Sequence, residues 1–198
     1  KILRDIRIFP IFEGANDVMR SFVALSALKP LGEELEGLGD LGLGDPIGSI
    51  GALAEYAFGR VKREIRPDRL TGAHDELSSL ADSVSDQVKR LRGEGEGLLR
   101  KHGKTIVDQG LAHKRYCDAL SDVYAQIAVL SRVTSIFEEQ GVEASGQERY
   151  IAETFCRRAE SRVNSSLDGL HHNDDDRMHS IATLAYKRGA YGYALFED

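Results

Sequence analysis

The sequence predicts an all-α fold, arranged as an antiparallel helical bundle. Apolar residues recur at three- and four-residue steps along most of the chain, which is the spacing of one face of an α-helix. Only four prolines occur in 198 residues, and no run of β-branched residues shows the period-two alternation of a strand. Short connections between such helices favour an up-and-down bundle.

The first well-defined helix is expected from Asp17 to Leu28. Asn16 or Asp17 is expected to cap its exposed amides, and Pro30 with Gly32 is expected to end it. Its apolar stripe is predicted to consist of Val18, Met19, Phe22, Val23 and Leu25.

Residues 32–51 contain seven glycines, each of which costs a helix about 1 kcal/mol relative to alanine. We therefore expect a mobile loop there. A short amphipathic helix follows, over residues 47–66, and Pro67 stops it; its basic end consists of Arg60, Lys62, Arg63 and Arg66. This helix either lies in a membrane interface as a peripheral contact or packs on the bundle.

Three longer helices and a shorter one make up the rest of the chain. The first begins near His74 and Asp75, the second ends near Gly141, and the third ends at Gly169. The last is expected from about Asp174 to Arg188. The predicted stripes are Leu77, Leu80, Val84, Val88, Leu91, Gly95 and Leu98; then Leu111, Leu120, Val123, Tyr124, Ile127, Leu130, Thr134 and Phe137; then Tyr150, Ile151, Thr154, Phe155, Ala159, Val163 and Leu167.

Composition excludes several classes of protein. A formal charge of −6 argues against a nucleic-acid partner, which would favour a basic face. No apolar stretch is long enough to cross a bilayer. Cys117 and Cys156 are far apart and lack CxxC spacing, so we expect free thiols on helix faces in a reducing compartment. The His171–Asp176 cluster with His179 is interpreted as a solvated helix cap, with no metal.

Residues 4–20, RDIRIFPIFEGANDVMR, place one acidic residue in unusual surroundings. Glu13 follows the apolar residues Phe9, Ile11 and Phe12 and is followed directly by Gly14. Desolvation raises the pKa of a carboxyl group toward the range of a general base, and a glycine permits a tight turn or close approach to a ligand. From these residues alone, Glu13 is a candidate base or a carboxylate that stabilises the following helix.

This segment resembles the signature near the end of the acyl-CoA dehydrogenases, and its FEG-x-ND form is most similar to the very-long-chain branch. That branch continues past the common core into an extra helical region. The runs Lys101–Val107, Tyr124-Ala125 and Val129–Arg132 resemble that extension less specifically.

The resemblance implies α,β-dehydrogenation of an acyl-CoA thioester, with Glu13 as the base that removes the α-proton and FAD as the hydride acceptor. It implies that Gly14 lies against the thioester and that Ala15, Asn16 and Asp17 contact FAD. Two positions depart from the family pattern. Ala15 stands where threonine is usual and lacks its hydroxyl, and Pro10 replaces a residue that is more often basic or polar.

The resemblance also implies an organisation for the chain as the C-terminal part of a larger protein. Residues 1–30 would end the dehydrogenase helical domain, 31–66 would form the linker and amphipathic helix, and 67–198 an appended helical domain. The parent is expected to be a homodimer that passes electrons to electron-transfer flavoprotein or a similar acceptor. It would reside in the bacterial cytoplasm or the mitochondrial matrix, with peripheral membrane contact through residues 47–66, and the isolated fragment would be inactive.

Two alternatives remain at this stage. An acyl-CoA oxidase has a similar Glu-Gly turn and a helical extension, although its pattern usually carries an acidic residue where Ala15 stands. A non-catalytic assembly or scaffold protein on the dehydrogenase fold can also keep the glutamate.

Overall fold

The computed structural model describes residues 2–8, 10–11, 14–39 and 69–189, with the backbone alone at residues 3–4 and 34–39. Its α-helices are α1 (Ile2–Ile6), α2 (Asn16–Gly39), α3 (Ser78–His102), α4 (Gly110–Gln140), α5 (Gly146–Asp168) and α6 (Asp175–Arg188). Short 3₁₀ segments occupy Asp75–Leu77, Gly103–Asp108 and Glu143–Ser145. These ranges contain no strand, and the all-α prediction is confirmed.

Helix α4 is the centre of the bundle, because it packs most extensively on α5 and then on α2 and α3. The four helices predicted after residue 70 are all present, and α4 and α5 end next to the expected glycines, Gly141 and Gly169. Gly141 ends α4 with a φ of 82°, and Gly189 ends α6 in the left-handed conformation, where its N–H donates to the Ala185 carbonyl at 3.0 Å. Within the described ranges, no helix is both long and apolar enough to cross a membrane.

The core follows the predicted stripes with some exceptions. The three- and four-residue spacing marks a helix face that is wider than the area covered by neighbouring helices. Residues at the edges of that face therefore stay exposed to solvent. Beyond α2, the predicted stripe members that are exposed are Val88, Leu111, Tyr124, Tyr150, Ile151 and Thr154. Buried hydrophobic residues of α3, α4 and α5 include Val84, Leu91, Leu98, Tyr116, Val123, Leu130, Val133, Phe137, Ala152, Val163 and Leu167.

Helix α2 does not end at Pro30, as the sequence predicted, but continues to Gly39. The predicted loop is correspondingly wrong for residues 32–39, and residues 40–66, including the predicted amphipathic helix, lie outside the described residues. A proline inside a helix removes one backbone hydrogen bond and costs about 3 kcal/mol. Burial of Leu28 and Leu31 on either side of Pro30 supplies packing energy that opposes this cost.

The buried face of α2 also differs from the predicted one. Ala24, Leu28 and Leu31 are buried. Of the predicted stripe, Leu25 is half-buried against the core, whereas Val18, Met19, Phe22 and Val23 are exposed; Val18 and Phe22 are 64% and 65% accessible. Helix α2 therefore has two apolar faces. The segment from Ala24 to Leu31 packs into the bundle, and the turns before it present their apolar residues outward.

Gly95 on α3 permits the close approach of α2 and α4. A Cβ at this position would lie 2.5 Å from Tyr116 Oη, 2.8 Å from Leu31 Cδ1 and 3.2 Å from Leu28 Cδ2. Tyr116 itself is buried and donates from its hydroxyl to the Leu91 carbonyl at 3.2 Å. Burial also raises the pKa of Tyr116 to about 12.

A pair of glutamine side chains joins α3 to α4 inside the core. Gln126 Nε2 donates to Gln87 Oε1 at 2.8 Å, and Gln87 Nε2 donates to Gln126 Oε1 at 3.2 Å. Both side chains are buried. Each amide thus supplies the other with both a donor and an acceptor. The pairing matters because burial of a polar group without a hydrogen-bond partner costs free energy.

We predict that Gly95→Ala destabilises the protein by about 1–3 kcal/mol, because the added methyl overlaps the side chains of α2 and α4. Gly97→Ala is the matched control on the same helix, since a Cβ at Gly97 meets nothing within 4 Å. The control should gain about 0.5–1 kcal/mol from its higher helix propensity. Urea unfolding measures both, and equal stabilities would contradict the packing account.

We also predict that Gln126→Leu costs about 1–3 kcal/mol, because it leaves the Gln87 amide buried without its main partner. The double variant Gln87→Leu/Gln126→Leu should recover part of that loss, since both polar groups are then removed. The measurement is a double-mutant cycle of unfolding free energies. Strictly additive losses would show that the two amides do not depend on each other.

Candidate functional site

The backbone forms a compact turn before α2. The Ile11 N–H donates to the Ile8 carbonyl at 2.9 Å, and the Asn16 N–H donates to the Pro10 carbonyl at 3.0 Å. Gly14 has a φ of 107°, a conformation that side-chain-bearing residues rarely adopt, and a Cβ there would lie 3.0 Å from Met19 Sδ. The glycine is therefore required by the turn itself.

Helix α2 begins one residue earlier than the sequence predicted. The Ala15 carbonyl accepts the Met19 N–H at 3.0 Å, which makes Ala15 the residue before the first turn. Asn16 and Asp17 lie inside that turn rather than at its cap, so the predicted cap is wrong. The Asp17 carboxylate instead accepts a hydrogen bond from Arg20 Nη1 at 3.1 Å.

The structure brings four of the five predicted site residues together at the N-terminal end of α2. Gly14, Ala15, Asn16 and Asp17 are contiguous and exposed, while Glu13 lies outside the described residues. Several residues that precede and follow this turn in the sequence are apolar and exposed: Ile6, Ile8, Ile11, Val18, Met19, Phe22 and Val23. The site is thus an open polar turn within an apolar surface.

An ion-pair network next to the turn was not predicted from the sequence. Arg20 Nε donates to Asp118 Oδ1 on α4 at 2.9 Å, and Lys114 Nζ donates to Asp118 Oδ2 at 2.9 Å. Burial acts to raise the pKa of Asp118, but the hydrogen bonds from Lys114 and Arg20 outweigh it and hold that pKa below its usual range. Arg20 and Asp118 are 98 residues apart in sequence, so no local pattern indicates their contact.

A cleft of about 1490 Å³ adjoins the turn between α2, α3, α4 and α6. Asp17 and Ser21 of α2 contribute to its wall, and Leu98, Leu111 and Leu184 are among its apolar lining residues. Its charged residues include Lys101, Lys114, Arg115, Asp175 and Asp176. Both signs of charge line the cleft, so it does not define a site for an ion of one sign.

Asp175 is not the solvated cap residue that the sequence predicted. Arg115 Nη1 and Nη2 donate to its two carboxylate oxygens at 2.6 and 2.7 Å, and this hydrogen bonding holds the pKa of Asp175 below its usual range. No residue of α6 is buried, so this pair is a principal tie between α6 and α4. Nearby, His171 Nε2 lies 2.6 Å from Glu94 Oε2. No cluster of three metal-ligating side chains occurs among the described residues.

The two cysteines are free and buried, in agreement with thiols packed on helix faces. Burial raises the pKa of Cys117, and it raises the pKa of Cys156 to about 11. Thiols with raised pKa values contain little of the reactive thiolate. Neither cysteine has the character of a nucleophile.

Comparison with known proteins places this helical architecture among the acyl-CoA dehydrogenases. A crystal structure of acyl-CoA dehydrogenase complexed with FAD from Bacillus anthracis superposes with a TM-score of 0.63, over 98% of this chain and 30% of that one, at 19% identity. The family described as ACAD9/ACADV, C-terminal domain, matches residues 75–191.

Relatives of the very-long-chain type match most of this chain. The chain is 34% identical over 177 residues to the mitochondrial very long-chain specific acyl-CoA dehydrogenase of Rattus norvegicus, and 34% identical over 174 residues to that of Homo sapiens. These matches cover 87% and 86% of this chain but 27% and 26% of the relatives. A probable acyl-CoA dehydrogenase, FadE10, of Mycobacterium tuberculosis is 28% identical over 188 residues.

The chain belongs to the ACAD9/ACADV C-terminal domain family. It spans about a quarter of the length of the curated relatives that it matches. The resemblance stated from residues 4–20 is therefore confirmed at the level of family.

We predict that Asp175→Asn loosens α6. At pH 7 the protection factors of α6 amides against hydrogen exchange should fall by about 5- to 100-fold, corresponding to about 1–3 kcal/mol. Because the folded pKa of Asp175 is depressed, the stabilisation is present above its unfolded pKa of about 3.9 and is lost as pH falls through the folded value.

The difference between Asp175→Asn and the unmodified protein should consequently shrink below about pH 4. Asp176→Asn, with the same charge change in the same helical turn, is the control and should change α6 protection less. A difference that stays constant with pH would contradict the ion-pair account.

Proposed function

We propose that this chain is the C-terminal part of an FAD-dependent acyl-CoA dehydrogenase that oxidises long- and very-long-chain acyl-CoA thioesters in fatty-acid β-oxidation. The observation that carries the proposal is the turn at Gly14, which sets residues 14–17 side by side and exposed, directly after Glu13. The names of the relatives support the same activity.

The proposed role of Glu13 is to accept the α-proton of the thioester. That proton is only weakly acidic, so the base must be desolvated and the developing enolate must receive hydrogen bonds. The apolar residues Ile8 and Ile11, which precede Glu13 and are exposed, provide surface that a bound acyl chain could cover. The backbone N–H of Glu13 is proposed to donate to the thioester oxygen, and Gly14 to lie against the thioester.

The exposed end of α2 fits an anionic nucleotide cofactor. The first amides of a helix have no partner within the helix, and the positive end of its dipole favours a phosphate. Ala15, Asn16 and Asp17 are proposed to contact FAD, which when bound would accept the hydride from the β-carbon. Arg20, 3.1 Å from the Asp17 carboxylate, offsets the negative charge that would otherwise face the cofactor.

The exposed apolar residues of α2 support the proposal that other parts of a longer protein complete the site. Val18, Met19, Phe22 and Val23 form a surface beside the turn that a further domain could bury. Three further features are proposals: a homodimeric state, electron transfer to electron-transfer flavoprotein or a similar acceptor, and membrane contact through residues 47–66. The compartment is also a proposal, either a bacterial cytoplasm or the mitochondrial matrix; the names of the rat and human relatives print "mitochondrial".

The test is turnover of long-chain acyl-CoA by the full-length protein with Glu13→Gln. We predict a loss of activity of about 10²- to 10⁴-fold with FAD content unchanged, because the variant lacks the proton acceptor but keeps the turn. Glu33→Gln is the control on α2, since Glu33 is exposed and its ion pair with Lys29 Nζ is long, at 3.9 Å.

Activity that survives Glu13→Gln would overturn the assignment of the base. Rapid reaction of the reduced protein with oxygen and release of peroxide would favour an acyl-CoA oxidase. A full-length protein that binds no FAD and turns over no acyl-CoA would favour a scaffold.

A further inference from the structure

We propose that Asp118, through Arg20, is a positioning residue for the catalytic turn, so that the appended helices take part in holding the base and the cofactor-contacting residues in place. The proposal rests on the function proposed above for residues 13–17. It extends that function to α4, which carries none of those residues.

Asp118 is held rigidly within α4. Its neighbours Tyr116, Cys117 and Ala119 are all buried, with Tyr116 packed against Gly95. The carboxylate itself is partly exposed and accepts a hydrogen bond on each oxygen, from Arg20 and from Lys114. A carboxylate that is hydrogen-bonded on both oxygens keeps its position and provides a fixed contact for Arg20 of α2.

Arg20 transmits that position to the first turn of α2. Its Nε donates to Asp118 at 2.9 Å and its Nη1 donates to Asp17 at 3.1 Å, so one guanidinium links two carboxylates. The pKa of Arg20 is raised, first by the hydrogen bond to Asp118. Asp17 is 88% accessible, and the contact with Arg20 joins its carboxylate to the same guanidinium that binds Asp118.

The apolar core holds the part of α2 that follows Arg20, from one helical turn onward. The buried residues of α2 begin at Ala24 and continue through Leu28 to Leu31, all C-terminal to Arg20. The preceding turns of α2 are exposed on their apolar side. The network of Arg20, Asp118 and Lys114 therefore adds a polar contact between the bundle and the end of α2 that carries the turn.

The experiment compares Asp118→Asn with Asp122→Asn in the full-length protein. Asp122 lies one turn further along α4 and pairs with Arg162 of α5, with Nε to Oδ2 at 2.9 Å. Both substitutions remove one charge from an interhelical ion pair of α4, but only the first pair reaches α2. Asp118→Glu serves as the conservative rescue.

We expect Asp118→Asn to speed amide exchange at residues 14–20 by about 10-fold, equivalent to about 1.4 kcal/mol. We expect it to lower kcat by about 10- to 100-fold with KM little changed, because small displacements of a base act on the transition state. Asp122→Asn should change neither quantity, and Asp118→Glu should restore part of kcat.

Equal exchange at residues 14–20 in the two Asn variants would overturn the proposal, and so would faster exchange in Asp118→Asn without a fall in kcat. If the unsubstituted full-length protein turns over no acyl-CoA, the proposed function fails instead. The exchange comparison then still decides whether Asp118 holds the turn.

Discussion

Helix α2 can reach the backbone of α3 only because residue 95 has no side chain. Leu28, Leu31 and the Tyr116 hydroxyl occupy the space that a Cβ at this position would need. This close approach fixes the C-terminal half of α2 against α3 and α4. The turn that carries the candidate site lies at the other end of the same helix, so its position depends on a contact several turns away.

Different forces hold the two halves of α2. Apolar burial holds the half that contains Ala24 and Leu28, and such burial is largely insensitive to salt and pH. Ion pairs hold the half that contains Arg20, and helix α6 depends in a similar way on the pair of Arg115 with Asp175. The N-terminal end of α2, next to the turn, and helix α6, next to the cleft, are thus held by ion pairs. Dissolved salt weakens such pairs by screening their charges.

Much of the fold could be predicted from the sequence because it follows from local spacing. The bounds of α3, α4, α5 and α6 follow from apolar periodicity and from terminal glycines such as Gly141 and Gly189. The continuation of α2 through Pro30 could not, because a local helix breaker was outweighed by burial of Leu28 and Leu31 against other helices. Gly14 and the contiguous site residues were visible in the motif, whereas the contacts of Arg20 with Asp118 and of Arg115 with Asp175 join distant parts of the chain.

The proposed removal of the α-proton of an acyl-CoA by Glu13, the residue before Gly14, is the step on which the function depends. It is tested most directly by the rate of flavin reduction when the full-length protein is mixed anaerobically with long-chain acyl-CoA, either unlabelled or deuterated at the α-carbon. Flavin reduction is expected to be slower with the deuterated substrate, because breaking the C–H bond at the α-carbon is the step assigned to Glu13. Equal rates with the two substrates, together with unchanged reduction in Glu13→Gln, would contradict it.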